Sequence, residues 1–257
     1  MSISAIMGLT GVGGGNMKYQ EFTSSGTWNK PNNNIEVAFA LLVAGGGSGA
    51  AYSGNACGGA GGEVIFGMAF VKDNSSYTVT IGAGGAGVSN AQNGNVGGNT
   101  TFANLTAYAS IYYASYITGT DGNGPRGGGR PFASPDGDAD GNKHTTGGYL
   151  TYNGNYYAEP GRVAGSPFLM SYGGGQGGFV NSNTGSYGGG SFFGSPGIGL
   201  NARAGGGASW GNGTNGSSLS DGSSSSAAAN SGAGSGAGGS AGSGNGGSGY
   251  AIIFWNE

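Results

Sequence analysis

The feature that most constrains this chain is a set of glycines that recur at a spacing of three residues. They pair as Gly58 with Gly61, Gly59 with Gly62, Gly82 with Gly85, Gly84 with Gly87, Gly174 with Gly177, Gly175 with Gly178 and Gly246 with Gly249. Three residues per turn is the period of the polyproline II helix, so such glycines leave one helix face without side chains. Bare faces can pack closely through backbone hydrogen bonds and weak Cα–H···O contacts. The spacing therefore predicts bundled polyglycine II helices, with flexible loops as the alternative.

Short apolar runs lead into and out of these tracts. Residues 35–44 are apolar almost continuously after Glu36, which is typical of a strand covered on both faces. Further strands are expected over residues 17–29, 63–71, 77–81 and 250–255, with a strand-like region over 99–118. We expect the last strand to pack in the same β-region as residues 35–44, after the preceding low-complexity segment has run along the folded body. The predicted fold class is mainly β and irregular: a short-stranded β-sandwich-like region combined with bundled polyglycine II helices, and essentially no α-helix.

The balance of glycine, charge and aromatic residues favours an ordered chain. Glycine supplies 65 of the 257 residues, whereas charged residues make up 7% and the formal net charge is -3. Self-repulsion therefore does not keep the chain open, as it does in many disordered proteins. The 14 Tyr, 11 Phe and 3 Trp provide apolar surface to bury. Glycine loses the most backbone entropy on ordering, about 0.5–1 kcal/mol relative to Ala, so close backbone packing or oligomerisation must compensate. We expect a homo-oligomer, with a trimer as the preferred form.

Composition also argues against several partners and locations. The chain has no basic stripe, which disfavours nucleic acid. No apolar run approaches the ~20 residues of a membrane-spanning helix, so membrane insertion is not expected. The start of the sequence lacks the basic n-region of a signal peptide, which predicts synthesis in the cytoplasm without a secretion signal.

We expect the chain to divide into a leader and one large domain. Residues 1–18 form the leader or docking segment, and residues 19–257 form a single glycine-rich domain with a tyrosine-rich insertion at about 108–193. The apolar residues of the leader are Ile3, Ile6, Met7 and Leu9. The leader could dock on a preceding subunit, with a frayed N-terminus as the alternative.

No catalytic constellation is visible in the sequence, so an enzyme is not expected. Residues 82–87 satisfy G-x-G-x-x-G after a predicted strand, but no helix pattern follows and the next acid, Asp121, is too distant for a dinucleotide site. Cys57 lies among small residues and is interpreted as a buried, inert thiol. The single histidine, His144, has no recognisable triad around it and is interpreted as an exposed loop residue.

One acidic segment resembles the start of a calcium-binding loop. Asp136, Asp138 and Asp140 alternate before a glycine, as in D-x-D-x-D-G, and place carboxylates at two-residue steps. The twelfth position, however, is Gly147, where the bidentate Glu of such a loop should stand. The segment therefore matches only half of the pattern for a site of calcium or another hard cation, with a solvated acidic turn as the alternative; no other cofactor is expected.

The order of the strand and glycine segments resembles a known family. FTSSGTWNKP is followed by the apolar run into GGG, then by GGAGGEVIFG, SYTVTIGAGGAG, GGNTTF and finally GGSGYAIIFW. This series is similar to the glycine-rich domain of bacteriophage tail fibre and tail-tip proteins, and it covers residues 19–102 and 205–255. In that family, the adhesins of T-even-like long tail fibres stack polyglycine II helices and recognise outer-membrane receptors of the host with loops at one end. The resemblance implies a virion protein that assembles with other virion proteins; residues 108–193 do not follow the common pattern.

The insertion itself is compatible with a binding surface. It combines tyrosine with Gly, Ser and Asn, a mixture that antibody paratopes favour because Tyr gives a large contact area at low entropy cost. The alternative is that these tyrosines fill a core that glycine cannot fill. The predicted receptor-binding residues are Tyr112, Tyr113, Tyr116, Tyr152, Tyr156, Tyr157, Tyr187, Phe192, Phe193 and Trp210.

Together these features predict a bacteriophage tail fibre or tail-tip adhesin that binds a glycan or an outer-membrane protein of the host. One alternative is a purely structural virion protein, such as a fibre, collar or capsid decoration. A second is an ice-binding polyglycine II protein, although the chain lacks the long regular G-x-x array that a flat ice-binding face needs.

Overall fold

A computed structural model of the chain describes most of the glycine-rich domain. The described residues are 16–109, 114, 188, 191, 193–201, 203–219 and 221–256, together with the backbone of short strands between 149 and 185. The strands, in chain order, are β1 (Met17–Phe22), β2 (Gly26–Asn29), β3 (Val37–Val43), β4 (Val64–Phe70), β5 (Ser76–Thr80), β6 (Thr100–Phe102), β7 (Leu105–Ala107), β8 (Tyr149–Tyr152), β9 (Asn155–Ala158), β10 (Pro160–Arg162), β11 (Leu169–Tyr172), β12 (Val180–Asn181), β13 (Thr184–Gly185) and β14 (Tyr250–Asn256).

The largest sheet has six antiparallel strands in the order β1-β14-β3-β4-β11-β10. The C-terminal strand β14 lies between β1 and β3, with Phe254 opposite Phe39 and Tyr250 opposite Val43. This confirms that the last strand returns to the sheet that contains residues 35–44. The insertion also joins this sheet, because β11 pairs with β4.

The second sheet has four strands in the order β2-β5-β6-β7. The predicted single strand over residues 17–29 is wrong in detail: β1 joins the first sheet and β2 joins the second. A bend over residues 23–25 separates them. The bend lets Phe22 and Trp28 enter the same core from opposite sheets.

Both faces of β3 are buried, as its apolar run predicted. Alternate residues such as Ala40 and Leu42 face a core shared with the second sheet, where Trp28 and Phe102 meet edge to face with ring centroids 5.6 Å apart. Leu41 and its neighbours face a second cluster on the other side. The two sheets thus form the expected sandwich-like region, and the described chain contains no α-helix.

The glycine tracts form a bundle held together by backbone hydrogen bonds. In the tract 44–51, the bonding direction rotates with a period of three residues. One set of N–H groups donates to tract 56–63: Ala44 to Glu63, Gly47 to Ala60 and Ala50 to Cys57. The next set donates to residues 92–98: Gly45 to Gly98, Ser48 to Asn95 and Ala51 to Gln92. In the third direction, Gly46 donates to Gly247. A threefold rotation with separate neighbours in each direction is the arrangement expected of packed polyglycine II helices. These bonds run between helices, unlike those of an α-helix.

The glycines at a spacing of three each face one neighbouring tract. A Cβ added to Gly59 would overlap the carbonyl of Gly47, and one added to Gly62 would overlap that of Ala44, both in the same tract. The same holds for the pairs Gly58 and Gly61, Gly82 and Gly85, and Gly84 and Gly87. Gly246 faces tract 44–51 and Gly249 faces the last residue of β3, Val43. The predicted pairs Gly174 with Gly177 and Gly175 with Gly178 lie outside the described residues. The pattern read from the sequence is therefore the contact face between helices.

The low-complexity segment before β14 is part of this bundle. Its tract 231–238 bonds to three others: Ser235 N–H donates to Gly47, Gly234 N–H to Gly207, and Gly232 N–H to Ser248. It is thus an ordered part of the body, as expected, and not a linker. Cys57 is buried among alanines, which confirms the predicted burial of this thiol.

Candidate binding surface at the distal loops

The glycine tracts run back and forth between the two sheets and a set of loops at the far end. Tract 44–51 leaves β3, and tract 56–63 returns the chain to β4. In the same way, tract 82–88 leaves β5 and tract 93–98 returns to β6. Because each outgoing tract pairs with its returning tract, the loop that joins them lies at the end opposite the sheets.

We call these joining segments the distal loop cluster. Its described residues are 52–55, 89–92, 198–201, 217–219, 221–222 and 239–241. Backbone hydrogen bonds connect one loop with the next: Asn90 N–H donates to Ser240 at 3.4 Å, and Gly239 N–H donates to Gly222 at 2.8 Å. The loops are therefore held against one another as one surface.

Arg203 fixes two of these loops from beneath. The residue is 4% exposed, and its Nη2 donates to the carbonyl of Ser53. Its backbone N–H and C=O both pair with Leu200. Burial lowers the pKa of the Arg203 guanidinium, and nearby Asp221 opposes that change by raising it. A buried cation with few acceptors is costly, so its position indicates a fixed conformation of the surrounding loops.

The loops make tight turns with left-handed backbone. Asn90 and Ala91 both have φ of 56°, Asn201 has φ of 51°, and Gly242 has φ of 131°. Asn adopts this region more readily than most residues, and Gly does so without steric cost. For Ala91 the cost is about 1–2 kcal/mol. Strain of this kind is retained where the surrounding structure fixes it, and it is frequent at functional sites.

The side chains presented by the cluster mix apolar and amide groups. Leu219 is 61% exposed, Ile198 and Leu200 are also exposed, and Tyr52 stands at the neighbouring loop. The amide of Asn201 donates to the carbonyl of Ser218, which holds the two loops of this apolar group together. None of these residues was selected from the sequence, although the polar turns that interrupt the glycine tracts were a usable indication of where the loops lie.

Two of the predicted receptor-binding residues lie elsewhere. Phe193 and Trp210 are half-buried, with ring centroids 4.7 Å apart, and pack against the cluster that contains Leu41 and Phe254. They cover the outer face of the six-stranded sheet at the sheet end of the bundle. In this structure they therefore contribute to the core.

Three predicted tyrosines lie on a β-hairpin. Tyr152 is in β8, and Tyr156 and Tyr157 are in β9, where they pair with Thr151 and Leu150. The remaining predicted residues lie outside the described residues: Tyr112, Tyr113, Tyr116, Tyr187 and Phe192 for receptor binding, and Asp136, Asp138 and Asp140 for a cation.

Within the described ranges, no three or more His, Cys, Asp or Glu residues come together as a metal-binding group. The described part of the chain also contains no helix with the length and apolar character needed to cross a membrane.

Comparison with known proteins gives the family of the chain. A family model described as a glycine-rich domain matches residues 9–256, almost the whole sequence, so the chain belongs to this family. A search of curated proteins found no match.

Proposed function

We propose that this member of the glycine-rich domain family is a bacteriophage virion protein, a tail fibre or tail-tip adhesin that binds a host glycan or outer-membrane protein. The observation that carries the proposal is the distal loop cluster, a set of interlocked loops at one end of a bundle anchored by two sheets. Binding residues are frequently placed on loops that a rigid scaffold positions. Assembly as a homotrimer with other virion proteins completes the proposal.

The scaffold offers a physical advantage for binding. A loop that is already ordered loses less conformational entropy when it meets a receptor, and so retains more of its contact energy as affinity. Here the order comes from hydrogen bonds between tracts at the base of the loops, such as those of Ala51 with Gln92 and of Tyr52 with Gly238. Loop sequences can therefore differ without loss of the bundle beneath them.

The exposed groups of the cluster suit a partly apolar receptor surface with hydrogen-bonding groups, and Asp221 adds an exposed carboxylate. Leu219 and Ile198 provide apolar contact, and Asn55 and Asn90 provide exposed amides for hydrogen bonds. The tyrosines of the insertion would extend the contact area. Both groups act by binding, and the proposal includes no chemical reaction.

Direct binding to cells tests the proposal. Fluorescently labelled protein is added to a panel of bacterial strains, and bound protein is measured by flow cytometry. Leu219→Asp places a charge in the cluster and should lower binding to a responsive strain about tenfold, which corresponds to about 1.4 kcal/mol. Phe70→Asp is the matched control, because Phe70 is equally exposed, at 61%, but lies at the sheet end.

Equal loss of binding in both variants would contradict a role for the distal loops. Tight assembly onto other virion proteins, without binding to any strain, would favour the purely structural alternative. Inhibition of ice recrystallisation by the purified protein would instead support the ice-binding alternative.

A further inference from the structure

A cleft opens in the six-stranded sheet where β3 and β14 separate. Their register ends at the pair Phe39 and Phe254. Beyond that pair, β14 continues to Asn256 alongside β1, whereas β3 begins at Val37 alongside β4. In the described part of the chain, Val37 therefore has no ladder partner on the β14 side and is 36% exposed, whereas Ala38 is fully buried. The cleft lies at the sheet end, away from the distal loop cluster.

The cleft combines apolar side chains with the side-chain amides of Asn32, Asn34 and Asn256. Its volume is about 360 Å³. Its apolar lining consists of Met17, Ile35, Val37, Phe39, Phe254 and Trp255. Glu36 is the only charged residue of the lining, and its carboxylate pairs with Lys72 Nζ at 3.7 Å. Met17 and Val37 remain more than a third exposed. An occupant should thus be uncharged and combine apolar side chains with groups that form hydrogen bonds to amides.

We propose that the N-terminal leader of the same chain, residues 1–15, occupies this cleft. These fifteen residues, unlike the full leader of residues 1–18, have no charged side chain, and they carry apolar residues at Ile3, Ile6, Met7 and Leu9. It meets the described chain at Asn16, directly before the lining residue Met17. This placement is independent of the proposed receptor binding.

The length of the leader allows it to reach the cleft in the same molecule. From Leu9 to Met17 the chain can extend over roughly 27 Å. The intervening residues 11–15 are GVGGG, and glycine permits the sharp reversal that a return to the cleft requires. A tethered segment also has a high effective concentration, which favours this arrangement over a leader from a neighbouring copy. Because Ala38 is fully buried, the leader would contact the cleft mainly through apolar side chains against the exposed Met17 and Val37.

Thiol labelling of the full chain tests the inference. Val37→Cys places a reactive group in the cleft, while the native Cys57 is buried and should not react. The labelling rate should rise about fivefold when Ile6→Asp and Leu9→Asp are added to the leader, because the docked state is depopulated. Ser2→Asp with Thr10→Asp adds the same charge beside the apolar residues and should leave the rate unchanged.

Two further variants keep the test decisive. Asn34→Cys, at an exposed lining residue, replaces the first variant if Val37→Cys does not fold, and Leu219→Cys reports any general change in reactivity at the distal loops. An unchanged rate in the Ile6→Asp and Leu9→Asp variant would overturn the proposal. Protection of the thiol introduced by Val37→Cys that increases with protein concentration would also overturn it, because it would indicate a leader from a neighbouring copy. Equal acceleration of labelling by the two pairs of aspartates would overturn it as well.

Discussion

At the scale of single residues, glycine is used here for its missing side chain more than for its backbone freedom. Among the described glycines, only Gly232 and Gly242 have a positive φ. The others occupy backbone conformations open to any residue, but a Cβ would overlap a carbonyl of the next tract in most of the bundle. The glycine content is thus required by packing, because the helices are in backbone contact and leave no space for a side chain between them.

A matched pair of alanine substitutions tests this reading. Gly59→Ala should destabilise the protein by about 3 kcal/mol or more, because the new Cβ meets the backbone of residues 47–48 and the neighbouring tract must move. Gly26→Ala is the control, since the nearest atom to its Cβ is on the Phe22 ring at 3.5 Å. Chemical denaturation should show little change for the control or a gain of about 0.5 kcal/mol. Equal stability of the two variants would contradict backbone contact between tracts.

Tyr250 gives a prediction for alkaline pH. Burial raises the pKa of its phenol, and the hydrogen bond to Glu21 and the charge of Glu21 raise it further. An unfolded tyrosine ionises near pH 10, whereas the folded one keeps its proton to higher pH. The resulting stabilisation is complete below about pH 10 and is lost as pH rises above that value. Tyr250→Phe should therefore show a smaller fall in unfolding free energy between about pH 9 and 11.

Denaturant titrations at each pH provide the measurement for Tyr250. The expected difference is in the pH dependence, whatever the stability at neutral pH. Parallel curves for the native protein and Tyr250→Phe would show that this phenol does not carry the effect.

At the scale of elements, serine and threonine hydroxyls connect tracts where backbone groups do not meet. Ser235 Oγ accepts from Gly49 N–H at 2.9 Å and donates to the Gly244 carbonyl at 2.6 Å. Thr100 Oγ1 likewise accepts from Gly82 N–H and donates to Val43. Each hydroxyl satisfies one donor and one acceptor on different elements, which an apolar side chain of the same size cannot do. The Ser-rich character of the glycine segments thus has a structural role.

Ser235→Ala should destabilise the protein by about 2–4 kcal/mol, because it leaves a buried N–H and a buried C=O without a partner. Ser53→Ala is the control, since Ser53 is exposed and only its carbonyl is engaged, by Arg203. Native-state hydrogen exchange at Gly49 should also become faster in Ser235→Ala. Unchanged exchange at Gly49 would show that another group, or water, takes the place of the hydroxyl.

At the scale of the whole molecule, the two ends of the domain close the same sheet. β14 lies between β1 and β3, so β1 joins the rest of the sheet through β14. Its residues Ala251 and Ile253 enter the core shared with the second sheet, while Ile252 and Phe254 enter the cluster on the other face. The tract before it is also the hydrogen-bonding partner of tracts 44–51 and 82–88.

Removal of residues 250–257 should therefore prevent folding of the whole domain. The truncated chain loses an interior strand that is buried on both faces, and the remaining contacts cannot offset the entropy of ordering the glycine tracts. Near-ultraviolet circular dichroism and size exclusion would report the loss. Removal of Glu257 alone is the control. A folded bundle without β14 would show that the tracts are stable independently of the sheet.

The local structure of the chain, namely its helix contact faces and its buried strand, could be predicted from sequence periodicity. A spacing of three between glycines predicted which residues form the contact faces of helices, because the helical period is a property of the backbone. The apolar run over residues 35–44 predicted a strand buried on both faces, because alternation is absent where both faces are covered. Pattern alone also indicated that the last strand returns to that sheet.

Which segments meet depends on the tertiary fold. Glycine tracts are nearly identical in sequence and carry no side chains, so nothing local specifies which tract neighbours which; the order of the strands at their ends fixes it. The arrangement of the tracts also places the larger side chains: Phe193 and Trp210 pack against a core, and Leu219 and Ile198 share the distal surface. The period of the glycine helices can therefore be recognised in the sequence. The neighbours of each helix, and hence the surface that the loops present, depend on the fold of the whole molecule.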